Sequence, residues 1–188
     1  MDNKDIIVNY LGKNLSKAYT RHELSKLLNI PYATFFRTIK TMEDLLISVK
    51  VGKAKTIKLN WHHEIIRSYL AVSSYEEKKV FLYEQPIIQK IENELKTKDI
   101  VLIFGSYAKK TQHEKSDIDL LIINTDGRRN LSFSKYELLF KKKINPVFVT
   151  KREFQAMIRQ AEENIGTQAL KHHIILNNPD EFWRCVLY

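Results

Sequence analysis

Apolar residues along this chain follow two rhythms, and the change from one to the other predicts its elements. Helical spacing comes first. Ile6, Ile7, Tyr10 and Leu11 predict a helix over 5–11, and Leu24, Leu27 and Leu28 predict a second one, opened by a Thr20-x-x-Glu23 capping box. Asn29-Ile30-Pro31 supplies a turn, and Phe35, Phe36, Ile39 and Met42 mark a third helix over 32–44. Residues 45–51 and 56–59 read as two strands joined through Gly52-Lys53-Ala54-Lys55. Helical spacing returns over 64–71 and 76–96, the second stretch behind a Ser74-x-x-Glu77 capping box and divided at Pro86. Short apolar runs then take over. Ile100 to Phe104 and 118–123 have the length and flanking turn residues of buried strands. A helix over 131–142, a third strand over 145–149 and helices over 154–160 and 162–176 complete the pattern. Thr150 to Glu153 caps the first of those helices, and Asn177-Asn178-Pro179 ends the second. Phe182, Trp183, Val186 and Leu187 give the tail an apolar face that closes the core or meets a partner chain.

The two strand runs frame the densest chemistry. Ile100 to Phe104 stops at Gly105-Ser106, ten residues follow, and Asp117-Ile118-Asp119 opens the next run. Side chains alternate faces along a strand, so Asp117 and Asp119 project from the same side. Two carboxylates together at the head of a core strand repel one another and cost free energy to desolvate. A divalent cation is the usual compensation, and Mg²⁺ favours carboxylate oxygens shared with substrate phosphates. The alternative is an ordinary strand–turn–helix–strand unit with a solvated Asp pair at its edge.

That motif resembles the signature of the DNA polymerase β-like nucleotidyltransferases, especially the minimal ones. The resemblance implies that Gly105 and Ser106 cradle a nucleoside triphosphate and that Asp117 and Asp119 hold Mg²⁺ or Mn²⁺, with Lys109 neutralising charge. Glycine permits close backbone approach to phosphate, and a serine at a helix start adds a hydroxyl and free N–H groups. Two departures stand out. Relatives carry a third carboxylate on the following strand, where this chain has Asn145, and often a glycine where it has Lys110. A neutral amide neither offsets metal charge nor accepts a proton at neutral pH. Asp126, Glu137 and Glu153 are the acids that could stand in. Lys141-Lys142-Lys143 reads as a solvated helix end or as a triphosphate contact.

The order of elements over 17–60 resembles a winged helix-turn-helix. In its docking mode the third helix enters a major groove, which nominates Thr34, Arg37, Thr38, Lys40 and Thr41 for base edges and Lys53 and Lys55 for phosphates. Charge supports this division. Residues 1–62 hold 11 Lys+Arg against 5 Asp+Glu, a balance of +6, while the other 126 hold 20 against 17, or +3 of the total +9. Winged helices also serve as protein-binding or dimerisation modules, so double-stranded DNA, a partner protein and a homodimer all remain open.

The expected fold is α+β: a winged helix-turn-helix over 1–62, a helical connector over 63–97 packing on the second domain, and a small mixed-sheet nucleotidyltransferase domain with flanking helices over 98–188. The expected function is transfer of a nucleoside monophosphate, AMP by preference, to a hydroxyl of a protein, nucleic-acid or small-molecule acceptor, in an antitoxin-like or regulatory setting. The alternative is a DNA-binding regulator or scaffold whose transferase domain is inactive or only senses nucleotide. Cys185 alone excludes an internal disulfide framework, and His62-His63 and His172-His173 read as solvated pairs rather than ligands. No stretch approaches the roughly 20 apolar residues of a membrane span. With an opening MDNKDIIV that lacks a long apolar segment, a cytoplasmic location is expected.

Overall fold

Local hydrogen bonds fix where the first helices begin. In the computed structural model, which describes residues 1–52 and 54–187, Asp2 accepts the N–H of Asp5 and starts α1 (Asn3–Lys13). Thr20 and Glu23 form the expected reciprocal capping box, opening α2 (Arg21–Leu27) just after a two-residue strand β1 (Tyr19–Thr20). Asn29 takes the left-handed backbone (φ 52) that asparagine tolerates, and the N–H of Ile30 returns to the carbonyl of Ser25, turning the chain into α3 (Tyr32–Lys40). β2 (Leu46–Val51) and β3 (Ala54–Leu59) form an antiparallel hairpin, and β1 joins its other side in the order β1-β3-β2. Ile7, Leu11, Leu24, Phe35, Ile39, Met42, Leu45, Ile57 and Leu59 are buried.

Three sequence expectations need correction in this region. The third helix stops at Lys40 rather than at residue 44, and Glu43–Leu45 forms a separate 3₁₀ turn. Phe36 does not belong to the buried stripe. Its ring lies half-exposed beneath Arg21 and Lys40, 5.4 and 5.0 Å from its centroid. The Ser74 capping box does not form, because α4 (Ile66–Glu84) runs straight through it. A serine inside a helix can satisfy its hydroxyl on the preceding turn, as Ser73 does on the carbonyl of Leu70, so Ser-x-x-Glu does not by itself start a helix. Pro86 does divide the run, standing at the first position of α5 (Pro86–Glu94), where its missing N–H costs nothing.

The chain separates into two compact units, Met1–Glu76 and Glu77–Val186. Two small sheets and their helices make the fold mixed α+β. In the second unit β4 (Ile100–Phe104) leads through the single turn α6 (Gly105–Ala108) to β5 (Ile118–Asn124). After α7 (Ser134–Phe140), β6 (Ile144–Thr150) lies parallel to β5, and β5 lies antiparallel to β4. α8 (Lys151–Arg159) follows its predicted Thr150–Glu153 box, and Asn164 caps α9 (Ile165–Lys171). The expected helix over 162–176 ends there. Ile174, Ile175 and Leu176 instead belong to β7 (Ile174–Asn177), antiparallel to β4, so the sheet reads β6-β5-β4-β7. An unbroken apolar run with two β-branched isoleucines suits an edge that needs both a buried face and backbone partners. Pro179 accordingly begins α10 (Pro179–Val186) rather than ending a helix.

β4 and β5 are buried on both faces. Val101, Ile103, Ile118, Leu120 and Ile122 pack with Phe81, Ile88, Ile91, Phe133 and Tyr136. α8, α9 and α10 pack against the strands, with Phe154, Phe182, Trp183 and His173 in ring contact at 4.7–5.9 Å. Among the described residues no helix is long and apolar enough to cross a membrane.

Candidate functional site

The pairing of β4 with β5 builds the centre of the site. Phe104 lies in register with Asp119, so the chain that leaves β4 passes directly over that carboxylate. Gly105 has φ +69, and a Cβ built on it would collide with Asp119 Oδ2. Glycine therefore fits twice over, in its backbone conformation and in leaving Asp119 Oδ2 its place. Ser106 and Ala108 are half-buried on α6, Tyr107 is buried beneath them, and Lys109 is exposed at the end of that turn. Lys110 takes the left-handed backbone (φ 56) that glycine would adopt without cost. Its ammonium pairs with exposed Glu84 at 3.2 Å. The polar stretch before Asp117 is tied by its own bonds: His113 and Ser116 bond each other twice, at 2.9 Å.

The aspartates converge as the strand parity predicts. β6 sets Asn145 in register with Asp119, and the Asn145 amide nitrogen donates to Asp117 Oδ2 at 3.2 Å and to Asp119 Oδ1 at 3.3 Å. Asn145 thus stands beside both carboxylates, where a third acid was expected. Asp117 is 39% exposed, so the pair faces solvent. The three acids named as substitutes do not join it. Glu137 Oε1 accepts the N–H of Ile144, Asp126 accepts the N–H of Arg128, and Glu153 is occupied in the α8 cap, its carboxyl held below the usual range by the Thr150 hydrogen bonds. Asp126 and Glu153 follow the ends of β5 and β6 that lie away from the aspartates. Among the described residues no group of three or more His, Cys, Asp or Glu gathers as metal ligands.

Sequence reasoning undervalued Lys143. Lys141 ends α7 in the left-handed conformation and Lys142 donates to the carbonyl of Glu114, but Lys143 reaches Asp117 at 3.5 Å. The available signal was parity, since Lys143 lies two residues before Asn145 and strand side chains repeat with period two. The donor set suits a hard cation shared with phosphate oxygens: two solvent-facing carboxylates, with one amide oxygen available if the amide turns.

The other nominated residues lie in the first unit. Arg37 and Lys40 are exposed on α3, and Lys55 is exposed on the hairpin, in register with Lys50. Thr34 and Thr38 are half-buried. The Thr38 hydroxyl donates to the Thr34 carbonyl and the exposed Thr41 hydroxyl to the Thr38 carbonyl, at 3.0 and 2.8 Å. Lys53 lies outside the described residues. A cleft of about 230 Å³ lies between α3 and the hairpin, lined by Arg21, Ile39, Glu43, Ser48, Lys55 and Ile57 among others.

The family model described as polymerase beta, nucleotidyltransferase, matches residues 87–182, just over half the chain. A crystal structure of a toxin-antitoxin with AMP-PNP is 20% identical, covering 54% of this chain and 82% of that one, with a TM-score of 0.36. No curated protein matches.

Replacing Gly105 by alanine tests the turn. Gly105→Ala is expected to lower stability by at least about 1–2 kcal/mol, the cost of a left-handed backbone at a residue with a Cβ, and to displace Asp119. Urea unfolding measures the first effect, and a variant as stable as wild type would contradict the described turn.

Proposed function

The chain belongs to the polymerase β nucleotidyltransferase family, and we propose that it moves a nucleoside monophosphate, AMP by preference, from a nucleoside triphosphate to a hydroxyl of an acceptor. The observation that carries this reading is the convergence of Gly105, Asp117 and Asp119 at one end of the β4–β5 pair. In this reading Asp117 and Asp119 hold Mg²⁺ or Mn²⁺, Gly105 and Ser106 seat the phosphates, and Lys109 offsets their charge. When bound, the cation polarises phosphoryl oxygens as a Lewis acid. The acceptor oxygen forms a bond to the α-phosphorus while the bond to pyrophosphate breaks. Asn145 takes no proton at neutral pH, so the hydroxyl proton leaves to water. The acceptor class is a protein, a nucleic acid or a small molecule, and an antitoxin-like or regulatory role fits any of them. Asp117→Asn and Asp119→Asn are each expected to lower transfer of label from an α-labelled triphosphate about a hundredfold or more, by loss of the Lewis acid, with unfolding curves unchanged. Wild-type-like transfer by either variant would sink this mechanism.

A second reading concerns the first unit, for which residues 1–62 form a winged helix-turn-helix that binds double-stranded DNA. Residues 63–97 are then the connector and 98–188 the transferase domain. Support comes from exposed Arg37 and Lys40 on α3, exposed Lys55 on the hairpin and the +6 balance of this segment. If the transferase domain proves inactive, this reading leaves a DNA-binding regulator or scaffold. Arg37→Ala with Lys40→Ala is expected to weaken duplex binding and to flatten its log–log salt dependence by roughly two units, one per lost phosphate contact. Duplex affinity and salt slope unchanged in that variant would rule out α3 as the docking helix.

A further inference from the structure

We propose that the site holds a single divalent cation with its nucleotide, and that Lys143 supplies at Asp117 the positive charge a second cation would bring. This rests on the nucleotidyltransferase reading. A site that clamps two dications about 3.5–4 Å apart must surround them with anionic oxygen. Among the described residues two carboxylates meet here, and the residue aligned with Asp119 on the neighbouring strand is neutral. The Asn145 amide does more than omit a charge. It donates to one oxygen of each aspartate, so an amide stands beside both where a third carboxylate would add negative charge. Lys143 approaches Asp117 Oδ2 at 3.5 Å, on the same oxygen that Asn145 engages.

Asp117 Oδ1 and Asp119 Oδ2 are the carboxylate oxygens that Asn145 does not engage, and they would hold one cation. Asp119 Oδ2 is the atom that faces Gly105, on the turn assigned to the phosphates. Formal charge points the same way. Three carboxylates with two dications leave one net positive charge toward a triphosphate, and two carboxylates with one ammonium and one dication leave the same. Lys143 is 68% exposed and Asp117 39%, so their attraction is screened and Lys143 tunes the cation rather than excluding it.

Electron paramagnetic resonance with Mn²⁺ and the non-hydrolysable α,β-methylene analogue of ATP tests this on the full chain, without reference to turnover. Wild type is expected to bind one Mn²⁺ per chain with the spectrum of an isolated ion. Asn145→Asp is expected to bind two, with the exchange-coupled spectrum of a close pair. Lys143→Met keeps the side-chain stem and removes the charge. It is expected to stay at one ion and bind it about twofold to tenfold more tightly, the scale of one screened charge acting on a dication. That variant keeps the test open if three adjacent carboxylates prevent Asn145→Asp from folding. An exchange-coupled pair in wild type overturns the proposal, and so does a folded Asn145→Asp that still binds one ion. Unchanged Mn²⁺ affinity in Lys143→Met overturns the role given to Lys143. Folded wild type that binds no Mn²⁺ with the analogue defeats the nucleotidyltransferase reading itself, and this inference with it.

Discussion

The antiparallel register of β4 and β5 is the constraint from which the second unit follows. It sets Phe104 opposite Asp119, and that forces the next residue over the carboxylate. Glycine suits that place, with φ +69 and no Cβ to push Asp119 Oδ2 aside. The register is strongly held, because β4 and β5 are buried on both faces and a one-residue slip would turn Asp119 into the apolar layer of Leu120 and Ile122. Each large apolar side chain withdrawn from water contributes about 1.5–3 kcal/mol. The geometry of a few polar atoms is thus secured by residues that take no part in their chemistry.

Parallel pairing of β6 with β5 adds the next element. It delivers Asn145 beside Asp119 and brings Lys143 within reach of Asp117. The carboxylates have an amide and an ammonium around them instead of a third acid. Fixed neighbours of this kind lessen the repulsion within an acidic pair and keep both oxygens oriented before any cation arrives. Acids on the helices beside these strands serve structural ends, as Glu153 does in capping α8 and Glu137, on α7, in accepting the N–H of Ile144.

Much of this was legible from residues alone, where a local rule decides the outcome. The Thr20 and Thr150 capping boxes, the break at Pro86 and the shared face of Asp117 and Asp119 depend on spacing within a few residues. The errors arose where distant partners decide. Ile174 to Leu176 follows a helix directly, and only the open edge of β4 makes it a strand. β1 is two residues long, and only β3 gives it a place in a sheet. Ser74 offered a helix start that the burial of α4 overrode. Lys143 read as part of a solvated helix end because the turn at Lys141, which returns it to the strand, depends on one left-handed residue. The alignment of Asn145 with the missing acid was visible, whereas its two hydrogen bonds needed the sheet.

The proposed function stands on a nucleotide site at Asp117 and Asp119 that depends on a divalent cation. Titration calorimetry of ATP, CTP, GTP and UTP into the folded chain, with Mg²⁺ and with a chelator, tests it most directly. Saturable binding of at least one triphosphate, ATP foremost, is expected; it requires Mg²⁺ and is lost when both aspartates are changed to asparagine. Folded wild type that binds none of the four with Mg²⁺ present would contradict it.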